Sequence, residues 1–161
     1  EYETLLQYDK YKAYASKGLG DYYFDKKDLS KAKKYYGTYA TVNKNPDEYI
    51  LYRLGQANEK ENNLKMALTD YKAVYSKNGK LANDAMLRAA EIYDKQENTV
   101  EAEKLFTKLY AVKNNKDLKA YSIEKLIYYK LVKNNTKEAK KLYDELKKLD
   151  AKRAEKFKAY F

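Results

Sequence analysis

Residues 51–71 read LYRLGQANEKENNLKMALTDY, and the spacing inside this stretch decides how the rest of the chain is read. Its fixed points are Leu51, Leu54 and Gly55, followed by Ala67 and, four residues on, Tyr71. Thirty-five residues earlier stand Leu19, Gly20 and Tyr23, then Ala32 and Tyr36. Thirty-five later stand Met86, Ala89, Ala90 and Tyr93, then Ala102 and Phe106. A further 37 residues on come Ile123, Leu126 and Ile127, then Ala139 and Tyr143. One unit is written four times. Apolar residues at three- and four-residue spacing make each half of the unit an amphipathic helix. A single helix pair cannot bury its own apolar stripe, so at least three must stack.

Composition agrees with an all-helical chain. Among 161 residues there are one Pro, five Gly, 20 Tyr and no Trp, His or Cys. Charged residues make up 36% and hydrophobic ones 44%, too apolar for a disordered polymer. No run approaches the roughly 18 apolar residues of a membrane span. The absence of Cys excludes disulfides and thiolate metal sites. The net charge of +10 is spread as Lys over every segment, which fits solvated helix faces in an AT-rich coding bias as well as an anionic partner.

Turn and cap residues set the helix limits. Asn45-Pro46-Asp47-Glu48 reads as an N-cap, a Pro at the first helical position and a Glu three after the cap. Asn98 with Glu101, and Asn135 with Glu138, repeat the Asn-x-x-Glu box. The expected helices are 12–25, 29–42, 46–60, 64–77, 82–95, 99–112, 117–132 and 136–148. The units are then 12–46, 47–81, 82–118 and 119–151, in one domain covering 1–161. Tyr2 and Leu5 are in phase with Tyr36 and Tyr39, so residues 1–11 read as the tail of a preceding unit, with exposed apolar surface through which copies would self-associate. Ala154, Phe157 and Phe161 make 152–161 a C-terminal cap helix. The fourth unit departs from the pattern. Ile127 stands where a small residue is expected and Lys130 where Tyr is, just as Asn58 replaces Tyr in the second unit.

The repeat resembles the tetratricopeptide (TPR) family, whose signature is Leu-Gly, Tyr, then Ala-x-x-x-Phe. The resemblance covers nearly the whole chain and implies an all-α, right-handed superhelical solenoid of helix hairpins. It further implies a concave groove lined by the first helix of each unit, and a non-catalytic role as a scaffold for other proteins. Within the family the repeat style is similar to bacterial cell-envelope proteins, which sets the envelope or periplasm as the expected location, against the cytoplasm.

On that alignment the groove supplies Tyr14 and Lys17, then Tyr49, Tyr52, Arg53 and Gln56, then Arg88, then Tyr121, Lys125 and Tyr128. The chain has three arginines, and Arg53 and Arg88 share one repeat position, which Lys125 continues. Arg offers a planar fork suited to carboxylates. Arg88 has Asp84 and Glu91 at helix-neighbour offsets and so could merely staple its own helix, whereas Arg53 has no acid at such offsets. The expected partner is a peptide or protein segment with acidic and apolar side chains. The two-carboxylate clamp of chaperone-binding family members is broken here, since Asp21, Arg53 and Asp84 stand where Asn, Asn and Lys belong.

Catalysis is not expected. There is no His or Cys to serve as base or nucleophile, and no glycine-rich phosphate loop, so neither cofactor nor metal is implied. The alternative function is single-stranded RNA binding by a basic helical-repeat surface, since aromatics interleaved with Lys can stack bases. Against it, Tyr23, Tyr36, Tyr71, Tyr93 and Tyr143 fall at core positions of the repeat.

Overall fold

The computed structural model describes residues 1–161, and every regular element in it is a helix. The chain divides into two compact units, Glu1–Ala89 and Ala90–Phe161. The first holds α1 (Tyr2–Leu5), α2 (Asp9–Asp25), α3 (Leu29–Val42), α4 (Glu48–Lys60) and α5 (Leu64–Tyr75). Helix α6 (Ala82–Lys95) carries the division. The second unit continues with α7 (Thr99–Tyr110), α8 (Lys116–Val132), α9 (Thr136–Leu149) and α10 (Ala151–Ala154), then a 3-10 helix over Glu155–Tyr160.

The hairpin turns repeat in atomic detail. Asp28, Asn63, Asn98 and Asn135 each donate the backbone N–H to the carbonyl five residues back, on Tyr23, Asn58, Tyr93 and Lys130, at 2.8–2.9 Å. The residue just before each, Lys27, Asn62, Glu97 or Asn134, takes the left-handed conformation with φ of 56–62°. This is a Schellman ending, which satisfies orphan carbonyls at the helix C-terminus. The same residue then starts the next helix: the side chains of Asp28, Asn98 and Asn135 accept from the N–H three residues on. The Asn-x-x-Glu boxes are therefore half-formed. The N–H that Glu101 or Glu138 would reach is already bonded to a carbonyl, and those acids turn to Lys104 and Lys130 instead.

In the first unit α2 packs on α3 and α4 on α5. Close approach comes from glycine under an aromatic ring. A Cβ on Gly20 would lie 2.4 Å from Tyr36 ring carbons, and one on Gly55 2.8 Å from Tyr71. The rings, rather than Ala32 or Ala67, face these glycines. Both alanines are fully buried, as are Tyr36 and Tyr71. Tyr23 and Tyr93, expected in the core, are half-buried, and Tyr23 stacks on Tyr35 at 5.5 Å. Asn58, standing where Tyr was expected, is buried and donates to buried Asp70 at 2.7 Å.

Three boundary readings are corrected. Helix α4 starts at Glu48, because the Asp47 side chain accepts from the Tyr49 N–H and Asp47 is the cap; Asn45 instead meets Lys77. Helix α2 starts at Asp9, three residues early. The tail beyond Asp150 is no single helix. It caps at Asp150, makes one α-turn and continues as 3-10.

In the second unit α8 packs on α7 and α9. Ile127, in the place of a small residue, is fully buried with Ile123 and Leu146, and Ala154 and Phe157 close this cluster. Burying an Ile of this kind contributes about 1.5–3 kcal/mol. Lys130 stands where Tyr was expected because two acids receive it, Glu103 at 3.0 Å and Glu138 at 3.1 Å. Phe161 packs on Tyr143, with ring centroids 4.9 Å apart.

Candidate functional site

Each buried tyrosine that locks a hairpin also carries a hydroxyl, which must find a partner. Tyr36 donates to Asp21 and Tyr71 to Glu59, both at 2.8 Å, and Tyr129 donates to Asp94. Burial, reinforced by these carboxylates, pushes all three phenols up. The core thus fixes acids on α2 and α4 in the first unit and on α6 in the second.

Those acids take most of the cations expected to face a ligand. In the first unit Arg88 grips Glu59 with two donors, Nε to Oε2 at 3.1 Å and Nη2 to Oε1 at 2.7 Å. Burial lowers the Arg88 pKa, and Glu59 and Tyr71 together more than offset it. Lys17 pairs with Asp21 at 3.2 Å. In the second unit Lys125 pairs with Asp94 at 2.6 Å. Burial lowers its pKa, but Asp94, Tyr121 and Glu124 together outweigh this and hold it above the ordinary lysine range. The expected basic line of Arg53, Arg88 and Lys125 is thereby corrected. Two of its three members are spent inside the protein, and Arg88 reaches across to α4 for its acid.

Arg53 differs. No carboxylate lies within ion-pair distance of it. Its Nε donates to the Tyr49 hydroxyl at 3.0 Å, and its guanidinium lies 4.3 Å from the Phe24 ring centroid and 5.2 Å from that of Tyr49. Lys17 sits 5.0 Å from the Tyr49 centroid and Lys60 5.1 Å from that of Phe24. Cations and rings alternate along the face of α2 and α4 as Lys17, Tyr49, Arg53, Phe24 and Lys60. Such contacts are worth about 0.5–1 kcal/mol each at exposed sites, and they hold the guanidinium plane still.

The other expected residues are placed as follows. Tyr14 is 62% exposed and touches the Tyr2 ring at 5.7 Å. Tyr52 lies half-buried against Tyr71, and Gln56 is half-buried with no hydrogen bond. In the second unit Tyr121 donates to Glu91 at 3.3 Å and meets Phe106 edge-on. Tyr128 is 55% exposed and lines a cleft of about 700 Å³ together with Asp94, Glu97, Thr99, Glu124, Lys125 and Phe157. Burial raises the Glu124 carboxyl, but Lys156 and Arg153 outweigh it and keep the group below the usual range. The structure brings Lys17, Tyr49 and Arg53 together in the first unit, and Tyr121, Lys125 and Tyr128 in the second.

Lys60 was missed as a member of the face, and Glu59 and Asp94 as the acids that take Arg88 and Lys125. Phe24 was legible as a groove position; Lys60 lies 36 residues from Phe24, and Glu59 and Asp94 lie 29 and 31 from Arg88 and Lys125, beyond any single-helix offset. No group of acidic side chains is placed to hold a metal ion, and no helix is long and apolar enough to cross a membrane.

No family model matches the sequence, and no curated protein is similar to it. Several solved structures are similar to it in fold. One, titled crystal structure of MamA, superposes with a TM-score of 0.71 at 18% identity, over 96% of this chain and 87% of that one. Another, titled crystal structure of MamA protein, gives 0.69 at 18% identity, over 96% and 81%. Likeness at this level shows the fold, which is an all-α, TPR-like helical solenoid.

Proposed function

We propose that the chain is a non-catalytic scaffold that binds a protein or peptide segment bearing acidic and apolar side chains. In the first unit such a segment lies on the α2 and α4 face around Arg53; the second unit, taken by itself, offers the cleft beside Tyr128. One observation carries the reading. Lys17, Arg88 and Lys125 each have a carboxylate at 2.6–3.2 Å, whereas Arg53 has none and is held between two rings. A guanidinium presented with terminal donors free is a ready carboxylate receptor, and Tyr49 beside it supplies amphipathic contact area. Selection from a random peptide display library tests this. Enriched peptides should carry Asp or Glu beside apolar residues and should lose binding to Arg53→Ala; enrichment of basic peptides, or equal retention by the variant, contradicts it.

A further inference from the structure

We infer that the Arg53 face prefers a doubly charged anion with three terminal oxygens, a phosphoryl group on a side chain of the bound segment, over a carboxylate. The inference rests on the peptide-binding reading above and names the group that the face selects.

Charge is the first argument. Lys17 is neutralised by Asp21, whose other oxygen accepts from Tyr36. Arg53 and Lys60 both lie against the Phe24 ring, at 4.3 and 5.1 Å, and neither has a carboxylate within ion-pair distance. Two uncompensated positive charges therefore share one ring. A carboxylate carries one negative charge; a phosphoryl group carries about −1.5 to −2 at neutral pH and so gains more from the unpaired Arg53 with the charge of Lys60 nearby.

Donor count is the second. The Arg53 Nε–H is spent on the Tyr49 hydroxyl oxygen, so that oxygen accepts and its own hydrogen remains to be donated. The terminal guanidinium nitrogens have no acceptor in the protein. The face thus offers the two arms of a fork and an adjacent phenolic O–H. A carboxylate has two oxygens and fills the fork alone, whereas the third oxygen of a phosphoryl group can also take the Tyr49 hydrogen.

A third argument separates this from phosphate in a nucleic acid strand. A phosphodiester carries a single charge, and its affinity on a protein surface is supplemented by base stacking. Here the Phe24 and Tyr49 rings carry the Arg53 guanidinium, and Lys60 and Lys17 lie over the same rings.

The test follows the Arg53 Nε–H resonance by NMR while one heptapeptide is added in three forms, with Ser, Glu or phosphoserine at its centre between apolar residues. Inorganic phosphate and a phosphodiester oligonucleotide are further arms. At pH 7.5 the phosphoserine form should move the resonance with a Kd at least about tenfold below that of the Glu form, and the Ser form should not move it. Near pH 5, where the phosphoryl group approaches a single charge, the preference should shrink to about twofold or less. Tyr49→Phe, which keeps the ring and removes the O–H, should cut the preference at pH 7.5, and Arg53→Ala, which lacks the reporter resonance and is read by calorimetry, should bind the phosphoserine form at least about tenfold more weakly with helix content unchanged. Inorganic phosphate binding as tightly as the phosphopeptide assigns the same phosphoryl site to a free phosphate. Equal affinity for the Glu and phosphoserine forms overturns the inference while leaving an acidic-peptide face intact. Tighter binding of the oligonucleotide, or no shift with any phosphoryl arm, also overturns it.

Discussion

Asp70 is 7% exposed, and the one hydrogen bond it receives comes from Asn58, itself 4% exposed. Burial pushes its carboxyl up to about 6, the Asn58 bond offsetting only part of that. An unfolded Asp titrates near 3.9. Between those values the folded chain holds a proton that the unfolded chain has lost, so stability falls as pH rises from about 4 to about 6 and stays lower above. Two pKa units at 1.36 kcal/mol each put the penalty on the order of 3 kcal/mol, and relaxation around the site brings a realistic figure to about 1–3 kcal/mol. Asp70→Asn removes the charge while its amide oxygen can still accept from Asn58. The variant should therefore be about 1–3 kcal/mol more stable than wild type at pH 8 and within about 0.5 kcal/mol of it at pH 4. Urea unfolding followed by circular dichroism at both pH values gives the difference, which cancels every other titrating group. A variant no more stable at pH 8, or a difference that does not vary with pH, would refute the reasoning.

Other predictions follow from single contacts. Glu97→Gly places a residue indifferent to positive φ where the backbone sits at φ 58°, and should raise stability by about 0.5–1 kcal/mol in chemical denaturation. Gly20→Ala drives a Cβ to 2.4 Å from the Tyr36 ring and should cost about 1–3 kcal/mol, with Gly55→Ala, at 2.8 Å from Tyr71, costing less; thermal melts rank the two. Glu59→Gln removes the charge shared by Arg88 and Tyr71 and should cost about 1.5–3 kcal/mol, measured by denaturation at neutral pH.

The repeat was legible because its strictest requirements are local. Gly20 and Gly55 stand 16 residues before the rings that cover them, and Asp28, Asn63, Asn98 and Asn135 mark each hairpin turn. Such features leave a residue type at a fixed offset. The fate of the basic line was not legible, because Arg88 finds Glu59 and Lys125 finds Asp94 across helices, 29 and 31 residues away. Helix offsets of three or four rank only partners on one helix. That criterion singled out Arg53 for its missing acid, and the structure pairs it with none; it could not foresee Phe24 beneath the guanidinium. The left-handed residues at Lys27 and Glu97 left no trace either, since neither is a residue type favoured there.

The scaffold reading stands or falls on Arg53. Calorimetric titration of a selected acidic peptide into wild type, Arg53→Lys and Arg53→Ala measures its contribution directly. The account predicts that Arg53→Ala folds with unchanged helix content and binds weaker by about 1.5–3 kcal/mol, a loss of roughly ten- to a hundredfold. Arg53→Lys should regain only part of this, because it restores the charge without the fork. Equal affinity across the three proteins would contradict it.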